Sequence, residues 1–82
     1  MFHYIKDVLP MTDHILWVRF VDGKEKQYDM KPLLSEIKAF QPLAYVDGLF
    51  EQVKVDKGGY GISWNDDIDL SSDELYTNGI LV

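Results

Sequence analysis

The chain has 82 residues, 46% of them apolar, and a formal charge of −6 from 8 basic and 14 acidic side chains. That length fits one small domain, residues 1–82, with a core only just large enough to offset chain entropy. The absence of cysteine excludes disulfides and thiolate metal sites, and the acidic balance excludes a surface of clustered cations for nucleic acid.

No basic leader with a long apolar stretch opens the sequence, and no apolar run approaches the roughly 18 residues of a membrane span. The expected setting is therefore cytoplasmic, with no membrane partner. Charge is unevenly spread. Residues 1–57 hold 8 basic and 9 acidic side chains, whereas residues 58–82 hold five acids and no lysine or arginine.

Tyr4 to Leu9 reads as a first strand that Pro10 stops, because proline lacks the amide a ladder needs. His14 to Val21 is dense in branched and aromatic residues and reads as a second strand, with Lys24 to Met30 returning after the Asp22-Gly23 turn. Side-chain parity chooses the loop length. A two-residue loop would set Leu16, Val18 and Phe20 against Asp29, Gln27 and Glu25, wasting an apolar face. A three-residue loop, Val21 to Gly23 with Gly23 left-handed, sets Leu16 against Tyr28, His14 against Met30 and Arg19 against Glu25.

Pro32 suits the first turn of a helix, and Leu33, Leu34, Ile37 and Phe40 recur at helical spacing, predicting a helix over 31–39 that Pro42 follows. Leu43 to Phe50 reads as a connector. A second hairpin is predicted from Val53 and Val55 across an Asp56-Lys57-Gly58-Gly59 loop, with Val55 opposite Tyr60 and Val53 opposite Ile62. Ser71-Ser72-Asp73-Glu74 is a capping box for a short helix to Thr77, closed by a left-handed Asn78-Gly79 stop. The order predicts an α+β domain: a mostly antiparallel sheet of about five strands, β-β-β-α-β-β-α, covered by two short helices.

The candidate chemistry is sparse. Asn65, Asp67 and Asp69 occupy the first, third and fifth places of a calcium loop, but Leu70 stands where glycine is needed and Tyr76 where glutamate is needed. His3 and His14 fall on different predicted strands, and zinc would have to recruit carboxylates from elsewhere. His14 is expected as a half-buried residue at a strand end. Ser35, Ser63, Ser71 and Ser72 lack the setting of an activated nucleophile. Gly58-Gly59-Tyr60-Gly61 lacks the spacing and the following Lys-Ser/Thr of a phosphate loop, and a hairpin explains it. No enzyme, metal or cofactor is expected.

Two features point to a partner instead. Asp66, Asp67, Asp69, Asp73 and Glu74 form an acidic stretch suited to a basic surface. Trp17, if it lies with Ile15 and Val21 on the reverse of the second strand, makes that face apolar as well, so a helix or another subunit must cover it. The expected activity is a non-enzymatic protein-interaction module, binding a protein partner or itself. The alternative is a small-ligand or divalent-metal domain using the acidic loop 65–69.

Phe20-Val21-Asp22-Gly23 with Tyr28-Asp29, then Phe50 to Asp56, Trp64, Asp69-Leu70, Leu75-Tyr76 and Gly79, resemble the pattern of a bacterial family of unknown function, family 2442 of such domains. The resemblance spans nearly the whole chain. It implies a small α+β unit, found alone or ahead of an antitoxin-type helix-turn-helix domain and often neighbouring another small protein, with no catalytic residues. This sequence has no helix-turn-helix extension, so direct binding to DNA is not expected.

Overall fold

The structure is a computed structural model that describes residues 2–82. Its centre is β2, Ile15–Phe20, whose side chains alternate between two environments. Leu16, Val18 and Phe20 are at most 1% exposed, and each contributes about 1.5–3 kcal/mol by leaving water. Ile15, Trp17 and Arg19 point the other way and are half-buried.

β1, Ile5–Met11, precedes β2 and pairs with it antiparallel through a turn at Thr12–His14, where Asp13 and His14 are left-handed. The strand does not stop at Pro10. It runs on to Met11, because β1 lies at the edge of its sheet, where a residue without an N–H is tolerated. A bulge between Ile5 and Asp7 changes the side-chain parity, so Ile5 enters the core opposite Phe20 while Asp7 lies opposite Arg19 on the reverse face.

β3, Glu25–Asp29, returns with the register that parity predicts: Leu16 against Tyr28 and Arg19 against Glu25, with the Met30 N–H donating to the His14 carbonyl at 3.0 Å. The loop is the three-residue one, and Gly23 at φ +92° supplies its left-handed position. Val21 therefore sits in the turn, not on the face with Ile15 and Trp17.

α1, Lys31–Glu36, starts with Pro32 in its first turn, while the Asp29 carboxylate accepts the Lys31 N–H at 2.9 Å. It is shorter than the predicted 31–39 helix. Ile37 is extended, a 3₁₀ turn at Lys38–Phe40 follows, and α2, Pro42–Tyr45, adds one turn. This irregular path puts Phe40, Leu43 and Phe50 into the core.

β4 (Lys54–Val55), β5 (Gly61–Asn65) and β6 (Ile68–Ser71) form a second antiparallel sheet in that order. Its first hairpin is shifted by two residues from expectation: Val55 pairs with Ile62, and Asp56 with Gly61. The four-residue loop is thus Lys57 to Tyr60, and Tyr60 lies exposed in it. The shift preserves parity, so Ile62 and Trp64 still face inward. It is favoured by the Ser63 hydroxyl, which donates to Asp56 at 2.6 Å.

β6 was not expected as a strand. Ile68, Asp69 and Leu70 alternate inward and outward, but three neighbouring acids make that stretch read as a loop. α3, Ser72–Asn78, then packs on both sheets. Its capping box is half-formed: Ser71 Oγ accepts the Glu74 N–H at 3.2 Å, but the Glu74 carboxylate turns to Tyr28 and Asn78. Gly79 is not the left-handed stop. It is extended at φ −73°, and its lack of a Cβ lets the chain pass close to the Leu75 carbonyl and Lys26. β7, Ile80–Leu81, follows and pairs with β3, completing the first sheet as β1-β2-β3-β7.

The α+β class and antiparallel pairing hold, but among the described residues seven strands in two sheets and three short α-helices replace the expected sheet of about five strands with two helices. The sheets meet over Leu16, Phe20, Met30, Ile62 and Leu75. A second link between them runs through Gly59, whose absent Cβ would lie 2.7 Å from the Ile5 carbonyl oxygen. Gly59→Ala is expected to lower unfolding free energy by about 3 kcal/mol, combining a left-handed backbone with a clash. Gly48→Ala, also left-handed but in open space, should lose only about 1 kcal/mol. Urea unfolding of the two variants checks the contrast, and equal losses would refute the link.

Candidate interaction surface

The reverse face of the first sheet is open. Leu9 opposes Trp17 and Met11 opposes Ile15, giving two adjacent cross-strand apolar pairs on β1 and β2. Leu9 is 55% exposed and Met11 42%. Ile80, opposite Gln27, extends the face to β7 and is 74% exposed. α3 reaches β3 from the other side, where the Tyr28 hydroxyl donates to Glu74 at 2.7 Å and Lys26 Nζ donates to the Tyr76 carbonyl.

Polar groups frame this patch. Arg19 donates to Asp7 at 2.6 and 3.2 Å, and its guanidinium lies 5.6 Å from the Trp17 ring centre. Trp17 Nε1 donates to Glu25 at 3.1 Å, which ties the indole to β3. Asp29 lies beside Ile15 at 3.0 Å from Lys31 Nζ. The backbone N–H of Lys31, helped by its ammonium, holds the Asp29 carboxyl below the usual carboxylate range. β3 thus borders the apolar pairs with Glu25, Gln27 and Asp29.

The acidic residues singled out from sequence are dispersed. Asp66 and Asp67 are exposed at the tip of the β5–β6 hairpin, where Asn65 Oδ1 accepts the N–H groups of Asp67 and Ile68 at 2.9 and 3.0 Å. Asp69 projects from β6 opposite Ser63, and Asp73 lies exposed in the first turn of α3. Glu74 is half-buried and accepts from both Tyr28 and Asn78. Among the described residues, no three His, Cys, Asp or Glu side chains gather as a metal site would require.

A second surface feature surrounds Tyr76. His3 stacks on its ring at 3.4 Å, Lys26 Nζ lies 4.2 Å from the ring centre, and its hydroxyl donates to Asp22 at 3.1 Å. Phe2, Tyr4 and Tyr60 pack edge and face nearby, and a cleft of about 350 Å³ opens between Phe2, Tyr4, Val21, Lys24 and Tyr76. His14 is half-buried at its strand end as expected, with Nε2 3.2 Å from the Leu43 carbonyl oxygen and its ring against Phe50.

Sequence reasoning found Trp17 and Ile15 on a second apolar face but missed Leu9, Met11 and Ile80. The alternation Asp7, Leu9, Met11 was the available signal, and Pro10 masked it. No helix among the described residues is long and apolar enough to cross a membrane. These features define a small two-sheet α+β domain whose first sheet has an open apolar face. The chain belongs to the family described as Protein of unknown function (DUF2442), whose pattern matches residues 5–80. No curated protein and no solved structure matches it.

Burial, reinforced by the Glu74 carboxylate, pushes the Tyr28 phenol well above its ordinary value of 10.0. The unfolded chain releases that proton at lower pH than the folded chain. The stabilisation is therefore complete below about pH 10 and falls as pH rises beyond it. Tyr28→Phe has no proton to lose, so its deficit in urea midpoint relative to the native chain should be largest near pH 8 and shrink by about pH 11. A constant deficit would contradict the assignment.

Proposed function

We propose that this domain is a non-enzymatic protein-interaction module that engages a protein partner through the open face of its first sheet. The observation that carries the reading is the exposure of Leu9 and Met11, each set across from a half-buried apolar partner, Trp17 and Ile15, on an uncovered sheet face. Three of the four serines that sequence gives no nucleophile's setting have structural partners: Ser35 donates to the Pro32 carbonyl, Ser63 to Asp56, and Ser71 caps α3.

Within this reading Asp66, Asp67, Asp69 and Asp73 supply a negative field that draws in a basic partner, while the apolar face supplies the contact. Glu74 belongs to the scaffold that holds α3 on β3. The two-gene, antitoxin-like setting implied by the family resemblance is compatible with such a partner.

The test is affinity capture from the native cells with three baits. The unaltered chain should retain a stoichiometric partner, and Leu9→Ser with Met11→Ser should lose it while keeping the native far-ultraviolet spectrum. Asp66→Asn, Asp67→Asn and Asp69→Asn together should retain the partner but weaken capture at about 50 mM salt, an effect that disappears near 500 mM as screening takes over. A partner held equally by the open-face variant would overturn the proposal.

A further inference from the structure

Independently of any partner, we infer that Asp47-Gly48 is a site of spontaneous covalent modification, where the folded chain converts aspartate to isoaspartate through a succinimide. Three of the six glycines follow an aspartate or asparagine: Gly23 after Asp22, Gly48 after Asp47 and Gly79 after Asn78. A glycine nitrogen carries no hindering Cβ on its own residue, so each pair is chemically competent wherever the backbone leaves that nitrogen free to reach the preceding side-chain carbon.

The reaction needs only the chain and water. The Gly48 nitrogen bonds to Cγ of Asp47 and gives up its proton. The carboxyl, in its protonated form, gives up its hydroxyl, and the two leave as water. Water then adds to the imide. Where it opens the main-chain carbonyl side, the backbone runs on through the former side chain and is longer by one methylene.

The fold closes two of the three pairs. Asn78 is the last residue of α3, where its Nδ2 donates to Glu74 at 2.9 Å and the Gly79 N–H donates to the Leu75 carbonyl at 3.0 Å. Both the nucleophile and the leaving amide are thereby held. The Gly23 N–H donates to the Phe20 carbonyl at 2.9 Å, while the Asp22 carboxylate accepts the Lys24 N–H at 2.9 Å and the Tyr76 hydroxyl at 3.1 Å. The Lys24 N–H holds the Asp22 carboxyl below its ordinary range, which favours the unreactive carboxylate.

Asp47-Gly48 has neither lock. The two residues are the centre of a turn closed by the Leu49 N–H donating to the Val46 carbonyl at 3.2 Å, with Gly48 left-handed at φ +80°. Both are exposed, and among the described residues no acceptor takes the Gly48 N–H. A Cβ built at Gly48 would meet nothing within 4 Å, so an imide ring has room there. The lengthened segment would lie between Leu43 and Phe50, both core residues.

Asp47→Asn places two chemically identical Asn-Gly pairs in one molecule, at 47 and 78, and peptide masses follow their loss of ammonia. In the folded variant position 47 should react about tenfold faster than position 78, and in guanidinium chloride the two rates should agree within about threefold. The unaltered folded chain, kept at neutral pH in water labelled with heavy oxygen, should take up label at Asp47 about tenfold faster than at Asp22. Electron-transfer fragmentation should identify the labelled product as isoaspartate, and Gly48→Ala should slow the uptake by about tenfold.

Equal rates at 47 and 78 in the folded variant, or a faster rate at 78, would overturn the inference. Label entering Asp22 as fast as Asp47 would overturn it as well.

Discussion

Every feature of this domain depends on the alternation of side chains along β2. Leu16, Val18 and Phe20 are withdrawn from water on one side, and Ile15, Trp17 and Arg19 stand on the other. A one-residue slip would reverse the two sets and place an arginine in the core. The three-residue loop ending at Gly23 holds the register against β3, and the bulge at Lys6 lets Ile5 join the buried set without shifting the remainder of β1.

Fixing one face as the core leaves the other without a cover of its own. The second sheet and α3 are fully used on the inner side, where Ile62, Trp64, Ile68 and Leu75 close over β2. Two sheets around one core are an economical solution for a small chain. The consequence is a one-sided first sheet: its open face carries Leu9 and Met11 beside Trp17, whose indole is held by Glu25, and the Arg19–Asp7 ion pair.

The acidic residues occupy a different part of the molecule. The β5–β6 hairpin carries Asp66 and Asp67 at its tip because Asn65 builds a turn there, and α3 takes Asp73 and Glu74 where negative charge suits a helix N-terminus. Structural demands therefore account for their positions, and their shared sign contributes a field without forming a coordination site. The exposed apolar pairs of the first sheet and the acidic residues of the β5–β6 hairpin and α3 thus lie on different parts of the molecule.

Patterns that act over short range were legible in the sequence. The first hairpin and its register, Pro32 in the first turn of a helix, the Ser71 cap and the second apolar face around Trp17 all follow from neighbours within a few residues or from one parity choice. Three further things were decided by the tertiary structure. Pro10 continues a strand because β1 lies at an edge, which local sequence does not reveal. Ile68 to Leu70 becomes a strand because Ile68 has a core to enter, although acids surround it. Gly79 stays extended so that β7 can reach β3, more than 50 residues earlier in the chain. The sequence by itself determined the α+β class, the absence of thiol chemistry and the two-faced character of β2, since composition and side-chain period are local properties. The division into two sheets and the choice of which apolar face stays open were settled only by packing, because they depend on which distant segments compete to cover the same side of β2.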